Sequence, residues 1–200
     1  MESFYLEEPS MSRKNEAIEY INEHYQYNSN INGSGTLHRY LDNYEEWLKF
    51  LKNLNSKEGA SKYGWVPSKT YYLIREQDNK IIGMINIRLE LNERLKQHGG
   101  HIGYGIRPTE RKKGYNKINL YLGLLVCHEY GIEEVYLDAD ELNPASWRTM
   151  EALGGVLVEK YNDENRLLRK YSIKVEESLE KYKNIYSKYI SKQNKLVLKK

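Results

Sequence analysis

The fold is decided by the stretch from His101 to Gly155, which has the sequence HIGYGIRPTERKKGYNKINLYLGLLVCHEYGIEEVYLDADELNPASWRTMEALGG. Its first part, His101 to Arg107, has the composition of a strand. This strand stops at Pro108, because proline fixes φ and lacks the N–H group that a ladder needs. The sequence then predicts a basic glycine turn, a helix, the strand Glu134 to Asp138, and a second helix.

The helix after the turn has apolar positions spaced three and four apart, at Ile118, Tyr121, Leu122, Leu125, Val126 and Tyr130. Its first turn carries backbone N–H groups without intrahelical partners, beside three cationic side chains. Together with the positive end of the helix dipole, these groups favour a phosphate-bearing ligand. Gly114 has no Cβ where a pyrophosphate would approach the backbone. The alternative is a solvated basic first turn, because a short glycine motif alone is weak evidence.

Three features occur in one order: the turn Arg111-x-x-Gly114-x-Asn116 after a strand, the strand Glu134 to Asp138, and Asn143-Pro-Ala-Ser146 opening a helix that ends at Gly154-Gly155. Together they resemble the GCN5-related N-acetyltransferase (GNAT) family, over about residues 70–173 and most specifically over residues 101–155. The resemblance implies an α/β (α+β) fold. Its mixed, mostly antiparallel central sheet is flanked by helices and opens near the centre to admit acetyl-CoA as co-substrate.

The resemblance also implies which residues bind the cofactor. The turn would hold the pyrophosphate, a backbone N–H near Ile106 would bind the thioester carbonyl oxygen, and Asn143 would meet the pantetheine arm besides capping its helix. The expected cofactor-binding residues are Ile106, Arg107, Arg111, Lys112, Lys113, Gly114, Tyr115, Asn116, Lys117, Asn143 and Ser146. Asn116 stands where the family usually has Gly or Ala, and its side chain could either crowd the pyrophosphate or add a hydrogen bond.

The catalytic residues are less clearly marked. Glu90 is our first candidate for the general base, because it would join a polar row with Asn86 and Arg88 if extended geometry persists. His101 is the second, since an unperturbed histidine pKa near 6.5 suits proton transfer. The tyrosine that serves as the acid in relatives falls on Met150, which leaves Tyr104 or Tyr115 as substitutes.

The length and composition of the chain fit one domain with a short extension. The 200 residues include 31 basic and 28 acidic ones, so the net charge of +3 does not by itself indicate nucleic-acid binding. A single cysteine, Cys127, excludes an internal disulfide framework, and no leader or long apolar run is visible. These features predict a cytoplasmic protein that does not enter a membrane. His98 and His101 are too few ligands for a zinc site, and we expect no metal.

The flanking sequence adds further elements. An amphipathic helix around Ala17 to Tyr25 and a stronger one from about Thr36 to Leu54 would border the acceptor site in the acetyltransferase fold. The segments Tyr71 to Glu76 and Lys80 to Arg88 form a predicted hairpin, with Ile81, Gly83, Ile85 and Ile87 on one face. A second hairpin is predicted from Val156 to Ile173.

We divide the chain into an acetyltransferase-like domain, residues 1–173, and a basic amphipathic C-terminal extension, residues 174–200. From Lys181 onward the extension contains seven lysines and no acidic residue. Its tyrosine stripe would pack on its own domain or on a second copy in a homodimer. Alternatively, its tyrosines and lysines would bind nucleic acid.

The sequence therefore predicts an N-acetyltransferase that moves an acetyl group from acetyl-CoA directly to a primary amine, on a small molecule. The alternative is a catalytically degenerate CoA-binding module whose basic extension binds nucleic acid or a protein partner.

Overall fold

The computed structural model describes residues 2–194. The helices and strands of this part are, in chain order, β1 (Phe4–Glu7), α1 (Lys14–Gln26), α2 (Tyr44–Asn53), α3 (Lys57–Ser61), β2 (Ser68–Arg75), β3 (Lys80–Arg88), α4 (Glu93–Gln97), β4 (Ile102–Ile106), α5 (Tyr115–Glu129), β5 (Glu134–Asp140), α6 (Pro144–Glu151), β6 (Val156–Asp163), β7 (Arg166–Lys174) and α7 (Val175–Tyr186). The predicted order of strand, turn, helix, strand and helix between residues 101 and 155 is confirmed.

The strands form two antiparallel sheets, one in the order β1-β2-β3-β4 and one in the order β5-β7-β6. Backbone and side-chain hydrogen bonds join the two sheets just before β4. There the His101 N–H donates to the Tyr136 carbonyl at 2.7 Å, and His101 Nδ1 accepts from the Tyr136 N–H at 3.1 Å. Beyond this point β4 and β5 belong to separate ladders. The predicted sheet, mostly antiparallel and open near its centre, is therefore confirmed.

Two apolar layers cover the sheets. The α5 layer contains the inner face of α5 together with Ile85, Ile87 and the inward residues of β5 and β7. The α1–α2 layer contains Tyr20, Trp47 and Met84 among others. A β-bulge between Leu73 and Ile74 leaves Ile82 as the extra residue of β3. The prediction that Ile81 shares a face with Ile85 was therefore wrong, because the bulge sends Ile81 to the α1–α2 layer and Ile82 to the α5 layer.

The second predicted helix is shorter than expected. Thr36 has φ of +66°, residues 37–39 form a 3-10 turn, and the helix begins only at Tyr44. Asn43 caps it by accepting a hydrogen bond from the Glu46 N–H at 3.3 Å. Within residues 2–194 none of the helices is at once long and apolar enough to cross a membrane.

The loop between α1 and α2 lies directly against β3 and β4. A Cβ atom on Gly33, which has φ of +73°, would lie 2.6 Å from the Met84 carbonyl oxygen and 2.7 Å from Tyr104 Cα. A Cβ on Gly105 would lie 2.8 Å from the Asn32 carbonyl oxygen. Glycines on both sides of this contact therefore let the loop cover the strand next to the gap.

The extension begins as α7 and packs on the protein's own domain. The Tyr186 ring lies 5.2 Å from that of Tyr121 in α5, and the Tyr121 hydroxyl donates to the Leu179 carbonyl at 3.3 Å. Farther along, Ile190 forms a parallel bridge with Phe4 of β1. The tyrosine stripe thus packs on α5, while Lys181, Lys183 and Lys188 are exposed. The three last lysines of the predicted basic stretch lie outside the described residues.

We predict that Gly33→Ala will cost at least about 3 kcal/mol of unfolding free energy, because the added methyl meets two backbone groups at a left-handed φ. Gly64→Ala is the matched control, since Gly64 has φ of +69° and no neighbour within 4 Å of its Cβ position. The control should lose only about 1–2 kcal/mol. Urea unfolding of both variants measures the difference, and equal losses would show that the loop does not press on β4.

Candidate active site

The turn before α5 is open to a ligand. Gly114 is the N-cap residue of α5 with φ of +85°, and Lys112 also has a left-handed φ of +64°. In the described structure no side chain caps this helix end, and its first turn contains no acidic residue. A Cβ on Gly114 would meet nothing within 4 Å. The start of α5 is therefore open beside Gly114, and no acidic residue of its first turn compensates the helix dipole, which suits an anionic group.

The cations of the turn differ in how free they are. Arg111 donates from Nε to the Ile106 carbonyl at 3.1 Å and from Nη2 to Ser29 Oγ at 2.6 Å. Lys113 Nζ is bound to the Glu110 carboxylate at 2.7 Å. Lys112 and Lys117 are exposed. These last two side chains are the most readily available for an incoming phosphate.

Glu110 fixes the turn to the sheet. It is 6 % exposed and accepts from Arg75 of β2 at 3.0 Å as well as from Lys113. Burial alone would raise the pKa of this carboxyl, but the hydrogen bonds from Lys113 and Arg75 outweigh it, so the pKa is lowered. The turn is thus supported by an ion-paired carboxylate directly beneath its basic side chains.

Two of the expected cofactor residues have structural side chains. Arg107 is 1 % exposed, with Nη1 bound to Glu19 at 2.8 Å and Glu23 at 3.1 Å. Its backbone N–H donates to the Ile82 carbonyl at 2.9 Å, so the N–H and Nη1 of Arg107 are both used within the fold, and its contact with the cofactor stays a prediction. The Tyr115 hydroxyl donates to Glu2 at 2.8 Å and its ring lies 5.0 Å from Phe4. Only the backbone of Tyr115 is left to the turn.

Asn116 lies at the start of α5 and faces the last turn of α6. Its Nδ2 is 3.5 Å from Thr149 Oγ1, and its Oδ1 is buried without a hydrogen-bond donor among residues 2–194. The side chain is thus turned toward α6, and its hydrogen bond to a pyrophosphate stays a prediction.

The gap between β4 and β5 exposes backbone groups of β4. The N–H of Arg107 points toward β3, and backbone groups alternate in direction along a strand. The N–H groups of Ile106 and Tyr104 therefore point toward the gap, as the Ile106 carbonyl does when it accepts from Arg111. Either N–H is positioned to bind a carbonyl oxygen inside the gap.

Tyr104 spans the gap with its side chain. Its hydroxyl lies 3.2 Å from the Ser146 carbonyl oxygen and 3.1 Å from Ser146 Oγ, at the start of α6. Burial raises the pKa of the Tyr104 phenol, so the hydroxyl remains protonated. Asn143 is the N-cap of α6 and accepts from the Ser146 N–H at 3.3 Å, as predicted. Met150 is buried in the α5 layer and supplies no acid.

Glu90 does not join the polar row. β3 ends at Arg88, so extended geometry does not persist to Glu90. The Glu90 carboxylate is instead ion-paired with Lys57 at 3.2 Å, with 43 % of its side chain exposed. Asn86, its supposed neighbour in the row, donates to Thr70 Oγ1 at 3.0 Å. The condition on which Glu90 was the first candidate for the base is therefore not met.

His101 is held in a form that cannot act as a base at its outer nitrogen. Because Nδ1 accepts from the Tyr136 N–H, the neutral ring carries its proton on Nε2. Burial, with help from the positive charge of Arg88, lowers the pKa of His101 to about 4. His101 is thus a hydrogen-bond donor at neutral pH, and its role as second candidate for the base is corrected.

Asp138 was not among the predicted site residues. Val135, Leu137 and Ala139 of β5 are buried in the α5 layer, so Asp138 faces the opposite side, beside the 98–101 loop. Its Oδ2 accepts from the Gly99 N–H and from the Tyr161 hydroxyl at 2.7 Å. The alternation of apolar and polar residues in β5 could have identified it. In the described part of the chain, no three His, Cys, Asp or Glu side chains are grouped to hold a metal ion.

Comparison with protein families matches residues 38–154 to the acetyltransferase (GNAT) family. A spermidine/spermine N-acetyltransferase variant from Vibrio cholerae is 16% identical with a TM-score of 0.61, covering 90% of this chain and 98% of its own. A ribosomal-protein-S5-alanine acetyltransferase from Vibrio fischeri is 13% identical with a TM-score of 0.63, covering 87% and 94%.

A third structure, yncA from Salmonella typhimurium, was solved with acetyl-CoA and is described as a putative acetyltransferase. It is 12% identical with a TM-score of 0.60, covering 86% of this chain and 94% of its own. At these identities the likeness shows a shared fold. No curated protein matches the chain.

We predict that His101 makes the protein less stable as pH falls from about 6.5 to about 4. In that window the His101 imidazole is protonated in the unfolded state but neutral in the folded state, so folding stability rises with pH. His101→Asn, whose Oδ1 can accept from the Tyr136 N–H, should reduce the loss. Urea unfolding at pH 7 and pH 5 tests this, and an unchanged pH dependence would contradict the assignment. The remaining histidines are common to both proteins and cancel in the comparison.

Proposed function

The chain belongs to the GNAT acetyltransferase family, and from this premise we propose that it transfers an acetyl group from acetyl-CoA directly to a primary amine on a small molecule. The observation that carries the proposal is the open, basic start of α5 next to the gap between β4 and β5. Family membership and the related structure solved with acetyl-CoA support acetyl-CoA as the co-substrate.

In this proposal the pyrophosphate binds the backbone N–H groups at Gly114 to Asn116, because the Lys117 N–H already donates to the Gly114 carbonyl at 3.1 Å. Lys112 and Lys117 neutralise its charge. Arg111 adds a further positive charge once its guanidinium is released from Ser29. The pantetheine arm enters the gap beside Ser146 and Asn143.

The reaction takes place where the gap narrows toward His101. The N–H of Ile106 or Tyr104 polarises the thioester carbonyl, and the amine nitrogen attacks the carbonyl carbon. The carbon–nitrogen bond forms and the carbon–sulfur bond breaks, so that sulfur leaves as a thiolate. An acceptor that arrives as an ammonium gives one proton to solvent water before the attack, and the nitrogen gives up a second one after it. We assign Tyr104 as the acid, because its hydroxyl lies inside the gap beside Ser146. It gives its proton to sulfur and regains one from solvent.

Gly114→Ala should weaken acetyl-CoA binding at least about tenfold, because an alanine resists the left-handed φ on which the turn depends. Gly131→Ala is the control, since Gly131 lies just past the other end of α5 with φ of +70° and nothing within 4 Å of its Cβ position. Calorimetric titration should show the same Kd for Gly131→Ala and the wild type. Failure of the wild type to bind acetyl-CoA would overturn the proposal.

Tyr104→Phe should lower kcat about 10²-fold in a thiol-release assay over a panel of amines, because the departing thiolate loses its proton donor. Tyr115→Phe removes the hydroxyl bound to Glu2 and should change stability but not kcat. Equal kcat in all three proteins would remove Tyr104 from the mechanism. Acetyl-CoA binding without turnover of any amine would favour the degenerate CoA-binding module.

A further inference from the structure

We propose that Asp138 binds the ammonium group of the acceptor, and that the acceptor is a primary amine with a single positive charge on an apolar body. The inference rests on the proposed function. It adds the residue that recognises the acceptor and the charge class that the site accepts.

Asp138 has one oxygen available for a further donor. Oδ2 is occupied by the Gly99 N–H and the Tyr161 hydroxyl, whereas Oδ1 is buried and has no hydrogen-bond donor among residues 2–194. A buried carboxylate oxygen without a donor is unfavourable, and an ammonium N–H is the strongest partner for it. Asp138 Oδ1 is thus an acceptor atom that a cationic hydrogen-bond donor would satisfy.

The surroundings of Asp138 are ordered before any acceptor arrives. Arg88 Nη1 donates to the carbonyl oxygens of Gly99 at 3.1 Å and Gly100 at 2.8 Å, which fixes the loop that contacts Asp138. The His98 ring lies 5.1 Å from the Tyr161 ring, and His98 Nδ1 is a second buried polar atom without a partner among these residues. The Asp138 carboxylate therefore lies near two aromatic rings and near a second buried polar atom that has no partner among these residues.

Asp138 is placed at the proposed reaction site. It faces the side of the sheet on which the α1–α2 loop covers Gly103 and Gly105 of β4, and it lies two residues after Tyr136, where the two sheets meet. The gap opens immediately beyond that contact. An ammonium at Asp138 would thus stand at the narrow end of the gap, on the face opposite α5.

A groove of about 580 Å³ lies across the second sheet next to this position, lined by Tyr136 and by Lys170, the register partner of Asp138. Leu91, Tyr136 and Val158 supply an apolar lining. The body of an acceptor held at Asp138 can therefore rest on apolar side chains.

The charges of the groove do not suit a polyamine. Its lining carboxylate, Glu159, is bound by Lys170 at 2.7 Å, and Lys96 is a second lining cation. A further ammonium on the acceptor would meet lysines and find no unpaired carboxylate within this described lining. Like charges placed together in an interface are strongly unfavourable, so the groove selects against a second positive charge.

The test uses 2-phenylethylamine as a monocation, spermidine as a polycation and 2-phenylethanol as an uncharged control. In calorimetric titrations with CoA present, Asp138→Asn should raise the Kd of 2-phenylethylamine about tenfold or more and leave that of 2-phenylethanol unchanged. Glu134→Gln is the matched control, since Glu134 lies on the same face of β5 and accepts from the Tyr136 hydroxyl at 2.8 Å. An unchanged Kd in Asp138→Asn would overturn the proposal.

A second variant tests the charge class separately. Lys170→Met leaves Glu159 unpaired in the groove, and the wild-type preference for 2-phenylethylamine over spermidine should fall about tenfold. A wild type that binds spermidine as tightly as 2-phenylethylamine would contradict the inference. These binding measurements need no turnover. Loss of acetyl-CoA binding would instead refute the proposed function, so the two failures are distinguishable.

Discussion

The separation of β4 from β5 is the constraint on which the rest of the structure depends. Two strands that meet at His101 and Tyr136 would normally continue to pair, since unpaired backbone groups are unfavourable in a protein interior. Here β5 pairs with β7 on one side only, and the gap is spanned by the Tyr104 side chain. The site thus consists of backbone groups that the fold itself leaves unused.

Keeping such a gap requires rigid supports on each side. On the β4 side, glycines allow the α1–α2 loop to lie against the strand, and Arg107 ties the end of β4 to α1 through Glu19 and Glu23. Below the basic turn, Glu110 and Arg75 join the turn to β2. The turn carries several cations because some of them serve as anchors, which leaves the exposed lysines for a ligand.

Much of this arrangement could be predicted from local features of the sequence. The spacing of apolar residues in α5, the glycine before it and the Asn143 cap depend on neighbouring residues, and the sequence predicted them. Arg107 and His101 could not be assigned in the same way. The partners that bury Arg107 are 84 and 88 residues away, and the tautomer of His101 is set by Tyr136, which is 35 residues away. The bulge at Ile82 and the end of β3 before Glu90 likewise arise from strand pairing.

The bridge between Phe4 and Ile190 has a consequence for the order in which the protein acquires its structure during synthesis. β1 pairs with β2 on one edge, while its other edge is occupied by Ile190 and by the Ser191 N–H bound to the Phe4 carbonyl. Until residue 190 has left the ribosome, that edge of the first sheet is an unpaired template for other chains. The segment that follows α7 is therefore a late closing element for the part of this edge at Phe4.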